Sequence, residues 1–241
     1  MRLIVCLFIP LILSACSKLA TDSIVTSEDI YAYMDFKTET LNDGATSDTV
    51  TIKLESSGHS IEVSTVKLDG TTMTFGSNGY QSTTTINEGD TFDVDCYLNQ
   101  FDIIYNESVE DSKITIKSLP EFKIKVADQL SNLKSADAVN TVTSIQKTKV
   151  IGIIFENDEA YQVTAKASVQ NTNENQSSGD FPIEDGGFIN SSLLNGAAVG
   201  FVPNKLILDV SFYYDGALNA AFKGGYIRRT VQIKKEMVIT N

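Results

Sequence analysis

Between Ile30 and Ile239 most of the chain follows one pattern, an apolar residue at every second position, interrupted by turns and loops. Ile30, Ala32, Met34 and Phe36 share one parity, and Tyr31, Tyr33, Asp35 and Lys37 take the other. Successive side chains of a strand point to opposite faces, so a period of two predicts strands with one face buried. Val50, Ile52 and Leu54 continue the pattern, as do Phe92, Val94, Cys96 and Leu98, and later Tyr161, Val163, Ala165, Ala167 and Val169. Asn42-Asp43-Gly44, Ser56-Ser57-Gly58, Asp69-Gly70 and Asn87-Glu88-Gly89-Asp90 supply turns between the runs. Many short strands with this spacing, and hardly any helical periodicity, predict an all-β chain of the β-sandwich type.

The length of 241 residues suits two sandwiches of roughly 100 residues each. The first β-sandwich domain is expected over residues 28–127 and the second over 141–241. Between them, 128–140 reads as a junction, with Leu130 and Leu133 spaced for a short helical turn. Asp102 to Asp111 reads as irregular. The second half opens on Val150 to Phe155, a continuous apolar run of the kind found in strands covered on both faces. Its clearest hairpin signal runs Leu206, Leu208, Val210, Phe212 and Tyr214, then Asp215-Gly216, then Leu218, Ala220 and Phe222. Ile227, Val231, Ile233, Met237 and Ile239 form one face of a closing strand, on which Arg229 and Lys235 are the exceptions. This pattern resembles the immunoglobulin-like modules of bacterial exported proteins, which implies two tandem antiparallel sandwiches. The chain has no Trp, so the Cys-Trp-Cys signature of true immunoglobulin domains is not carried.

The chain begins MRLIVCLFIPLILSAC. A positive start, an apolar run from Leu3 to Leu13 and small residues at its end describe an export signal. The run is shorter than the roughly 20 residues that a membrane-spanning helix needs. Its end, Leu13-Ser14-Ala15-Cys16, resembles the lipobox of bacterial lipoproteins. That resemblance implies a signal peptide over residues 1–15, cleavage before Cys16 and acylation of its thiol by palmitate-like chains, making the membrane itself a partner. More than one acyl chain gives stable anchoring. Ser17, where such proteins carry Asp when retained at the inner membrane, implies a lipid anchor in the outer membrane, facing the periplasm or the cell exterior. Residues 16–27 read as a polar tether.

Net charge is −12, so the surface repels phosphate backbones and a nucleic-acid partner is not expected. Of the three cysteines, Cys6 leaves with the signal and Cys16 is the lipidation site. Cys96 is then alone, so no intramolecular disulfide forms, and its parity with Phe92, Val94 and Leu98 marks it as a small buried hydrophobe.

Signals for chemistry are sparse. His59 is the single imidazole, lies beside a turn, and has no nucleophile motif near it. Phosphate-cradling glycine motifs are absent, and no cofactor is expected. Asp93 and Asp95 share the outward face of a strand and read as solvated. Calcium is the ion that the oxygen-rich loops would suit, with Asp158, Glu159, Asp180, Glu184 and Asp185 as candidate ligands. Tyr31, Tyr33, Tyr97 and Tyr213 fall on outward parities, where rings serve sugar or protein recognition. The expected function is therefore non-enzymatic: a membrane-tethered envelope lipoprotein that acts as a binding or assembly module for protein or glycan partners. The rival classes are an envelope glycan hydrolase using a carboxylate pair, and a calcium-stabilised adhesion module.

Overall fold

The computed structural model describes residues 26–40, 45–63, 65–99, 106–156, 161–171, 177–184, 186–196 and 200–241. In the N-terminal half the strands are β1 (Ile30–Thr40), β2 (Thr46–Ser56), β3 (His59–Ser60), β4 (Thr65–Leu68), β5 (Thr71–Thr72), β6 (Thr74–Gly76), β7 (Gly79–Ser82), β8 (Thr91–Asn99), β9 (Asn106–Thr115) and β10 (Glu121–Ala127). The C-terminal half adds β11 (Ala138–Val139), β12 (Ser144–Gln146), β13 (Val150–Glu156), β14 (Gln162–Asn171), β15 (Phe181–Ile183), β16 (Phe188–Ile189), β17 (Pro203–Asp215) and β18 (Gly224–Thr240). Among the described residues, helical structure is limited to 3-10 turns at Ser27–Asp29 and Leu130–Ser135 and one α-helical turn, Ser191–Leu194. Among the described residues no helix is long and apolar enough to cross a membrane.

The described strands form three sheets. The largest has ten strands on the path β15-β14-β17-β18-β1-β2-β7-β6, with β12 added beside β18 and β3 beside β2. The others are β5-β4-β8-β9 and β11-β10-β13-β16. The alternation is obeyed: Ala32, Met34, Phe36, Val50, Ile52, Leu206, Leu208 and Phe212 are all buried on the inner face of the large sheet. That face meets both smaller sheets. The ring of Phe36 lies 5.2 Å from that of Phe92 on β8, and Phe212 packs edge-on 6.0 Å from Phe155 on β13. The protein is thus an all-β sandwich with one large layer facing two small ones, and one apolar core runs through it. Each large side chain buried there contributes about 1.5–3 kcal/mol.

The large sheet joins the first and last of the described strands. β1 pairs with β18 in parallel, from Tyr31 opposite Gly224 to Thr40 opposite Ile233. β12 also runs parallel to β18, from Ser144 opposite Val238 to Gln146 opposite Thr240. Neighbouring parallel strands require a crossover, and for β1 and β18 that crossover is the whole chain between them. Residues 28–127 and 141–241 therefore share a sheet and a core.

Several local expectations hold. Asp69 (φ 48°) and Gly70 (φ 74°) are both left-handed and close the two-residue hairpin between β4 and β5. Ser57 (φ 51°) and Gly58 (φ 78°) do the same between β2 and β3. Val150, Ile151, Gly152 and Ile153 are buried on both parities of β13. Leu133, from the 3-10 turn at the predicted junction, covers the second face: a Cβ on Gly152 would lie 2.7 Å from its methyl.

Two expectations are corrected. Asp102 to Asp111 is not irregular throughout, because β9 begins at Asn106. A bulge opposite Asp95, with Asp111 left-handed at φ 64°, resets the parity, so that Val109, Ser112 and Ile114 all turn inward. Nor does Asp215-Gly216 make a tight hairpin. β17 pairs with β18, which starts at Gly224, and residues 216–223 instead cover the outer edge of β9. Ala217 exchanges both backbone hydrogen bonds with Lys113, each 2.8 Å. Gly216 serves close approach, since a Cβ there would lie 2.5 Å from the Lys113 carbonyl oxygen.

Candidate binding face

The inner face of the ten-stranded sheet is consumed by the core. Its outward face carries the chemistry. Strand register sets which side chains meet there, and the face divides into two patches.

The first patch is aromatic and cationic. Tyr33 on β1 stands directly opposite Tyr226 on β18, with ring centres 5.4 Å apart in an edge contact. The Arg228 guanidinium lies 4.3 Å from the Tyr226 ring centre and 4.5 Å from that of Tyr213 on β17. Its Nε and Nη2 donate to the two carboxylate oxygens of Asp215 at 2.7 and 3.1 Å. Such bidentate pairs fix geometry as well as charge. Ring faces and guanidinium fork are thereby satisfied within the patch.

Asp35 lies beside it and accepts a hydrogen bond from Thr230 Oγ1 at 2.7 Å. Burial outweighs that bond and holds the carboxyl above the ordinary Asp value of 3.8. A carboxyl with a raised folded pKa binds its proton more tightly in the native state, so stability falls as pH rises from 3.8 through the folded value. Asp35→Asn keeps an acceptor for Thr230 and is expected to raise the melting temperature at neutral pH. The gain should vanish below pH 3.8. Equal shifts in acid and at neutrality would show that ionisation of Asp35 carries no penalty.

The second patch is a polar cleft of about 190 Å³. Lys166 on β14, Asp209 on β17 and Lys234 on β18 form a directly opposed cross-strand row along its wall. Ser168, Gln170 and Asp180 complete the polar lining around Ile207. Lys166 Nζ pairs with Asp180 at 2.8 Å, and Gln232 Nε2 donates to Asp209 Oδ1 at 3.0 Å. The outward-facing Ile207 is only 7% exposed, which makes it an apolar floor.

The residues singled out from sequence are dispersed. Tyr31, Tyr33 and Tyr213 lie on the outward face of the large sheet, whereas Tyr97 is on β8, with the Lys67 ammonium 4.7 Å from its ring centre. Of the calcium candidates, Asp180 is engaged by Lys166 and Glu184 is exposed. Asp158, Glu159 and Asp185 lie outside the described residues, as does Cys16. Among the described residues no three Asp, Glu, His or Cys side chains converge to hold a metal ion. His59 is exposed on β3. Asp93 is ion-paired with Lys113 at 3.4 Å. Cys96 is buried, and burial pushes its thiol up to about 12.

Sequence reading missed Tyr226 and Arg228, because Gly224-Gly225 precedes them and hides the start of the strand. It also missed the cleft, whose walls come from four separated segments. Only the outward parity of Lys166, Ser168 and Ile207 was visible.

Ser27, just before β1, is held in a clamp. Ser27 is 2% exposed; its N–H donates to Glu107 Oε2 at 2.9 Å, and its hydroxyl donates to the other carboxylate oxygen. The Ser27 carbonyl accepts from Lys223 N at 3.2 Å. In comparisons with known proteins, no family model and no curated protein matches this chain.

Proposed function

We propose that the protein is a non-enzymatic envelope lipoprotein, anchored in the outer membrane through acyl chains on Cys16, that holds a glycan or protein partner against the outward face of its ten-stranded sheet. The observation that carries the reading is that face: one side of the large sheet is buried by two smaller sheets, while the other presents an ordered array of rings, cations, carboxylates and amides across β14, β17, β18, β1 and β2. Recognition by a rigid sheet loses little conformational freedom on binding. The clamp at Ser27 supports the tethered part of the proposal. A load applied from the N-terminal side would reach β1 through this clamp, and the ladders of β1 to β18 and β2 would share it.

The test is metabolic labelling with a palmitate analogue, followed by fractionation. The full chain is expected to carry label and to partition with outer membrane, while Cys16→Ala carries none and no longer reaches the outer membrane. Unlabelled wild type, or an unlabelled Cys16→Ala protein that still partitions with outer membrane, would overturn the anchor.

A further inference from the structure

We infer that the cleft between β14, β17 and β18 binds a neutral pyranose unit of a glycan. This deepens the outward-face reading and rests on it, but not on the anchor. The two patches of that face differ in what they have left to offer. In the aromatic patch, Arg228 already covers both rings and spends its fork on Asp215. In the cleft Lys166 and Asp180 pair with each other, but part of the capacity is unspent. Asp209 uses Oδ1 for Gln232, and among the described residues its Oδ2 has no hydrogen-bond partner and Lys234 has no carboxylate. Ser168 and Gln170 add a hydroxyl and an amide from β14.

The type of ligand follows from four features. Opposed residues on adjacent strands are about 5 Å apart, so an ammonium donor and a carboxylate acceptor face the ligand side by side. Vicinal sugar hydroxyls donate and accept at once and match such a pair. Ile207 gives an apolar floor for the C–H face of a ring. Charge then narrows the choice: Lys166 and Lys234 are balanced by Asp180 and Asp209, in a chain of net charge −12. A phosphate or polyanion would meet two carboxylates here, and a neutral polyhydroxylated ring meets none of that repulsion. The cleft's 190 Å³ is below the usual span of roughly 300–1,000 Å³ for drug-sized ligands, which fits one ring of a longer chain.

The test is a titration of the detergent-purified full-length protein with cellotetraose, maltotetraose and the β-1,4 tetramer of N-acetylglucosamine, read by saturation-transfer NMR. At least one tetrasaccharide is expected to bind, and Asp209→Ala and Lys234→Ala should each weaken it about tenfold or more. Lys123→Ala, on β10 of a smaller sheet and away from this face, should leave affinity within about twofold, and circular dichroism of all three variants reports that the fold is kept. Competition by the matching monosaccharide assigns free sugar as the occupant, and retention of the tetramer alone assigns a chain-borne unit. No binding of any tetramer up to about 10 mM, binding indifferent to Asp209 and Lys234, or binding of inorganic phosphate in their place would overturn the inference. Palmitate labelling at Cys16 reports separately on the anchor, so the two failures are distinguishable.

Discussion

Alanine at position 225 is expected to cost several kcal/mol, a large share of the roughly 5–15 kcal/mol that holds a typical domain together. Gly225 stands opposite Ala32, where the first and last strands of the chain meet in parallel. Its φ is 118°, outside the range that L side chains adopt comfortably. A Cβ there would also lie 1.9 Å from the Ala32 carbonyl oxygen and 2.8 Å from the Ala32 nitrogen. These are backbone atoms in a hydrogen-bonded ladder, so no rotamer change relieves the overlap. The comparison variants are Gly58→Ala and Gly89→Ala, also at positive φ but with nothing within 4 Å of the added methyl. Those two should lose only about 1–2 kcal/mol, the left-handed penalty alone. Urea unfolding of the three decides the matter. If Gly225→Ala unfolds at the same denaturant concentration as Gly58→Ala, the close packing of β1 on β18 is not what the fold depends on.

The second large effect lies on the inner face of the same strand. Arg229 is fully buried. Its Nη1 donates to the Phe36 carbonyl at 3.0 Å and its Nη2 to Thr38 Oγ1 at 2.6 Å. Thr38 in turn donates to Asp48, whose other oxygen accepts from Ile86 N at 3.0 Å. Among the described residues Arg229 Nε has no hydrogen-bond partner, and burial lowers the pKa of the guanidinium. A buried charge with incomplete hydrogen bonding is expensive, yet removing it by truncation leaves its partners stranded and a cavity behind. Arg229→Ala is therefore expected to lose about 3–5 kcal/mol. Arg229→Met fills the volume without the charge, and comparable replacements of buried ionic groups range from neutral to about 1–4 kcal/mol stabilising. Chemical denaturation of both variants separates the two roles. Equal losses would mean that the Phe36 and Thr38 hydrogen bonds, not the filled volume, are what Arg229 contributes.

Arg229 also shows where sequence reading stops. Its inward parity was plain from Ile227, Val231 and Ile233, but parity does not say that Phe36 and Thr38, nearly two hundred residues earlier, would receive its protons. The alternation that places Met34 and Phe36 inside and Tyr33 outside is a local property with a period of two, so it survives in the sequence wherever a strand is half-buried. Two-residue turns such as Asp69-Gly70 are equally local, since left-handed φ is written into those residue types. β9 was harder. Its polar run from Asn106 to Ser112 carries a bulge at Asp111 that shifts the parity midway, and alternation cannot be read across an inserted residue.

The sequence by itself determined that this is an all-β chain, which faces of most strands are buried, and that Cys96 belongs in the core. Only the tertiary structure decided that β1 lies beside β18, that one large sheet faces two small ones, and that Lys166, Asp209 and Lys234 share a wall. The reason is that a β ladder is made by backbone N–H and C=O groups, which are alike in every residue but proline. Partner choice is therefore set by the burial and packing of the whole chain, and a cleft assembled from segments dozens of residues apart exists only once that choice is made.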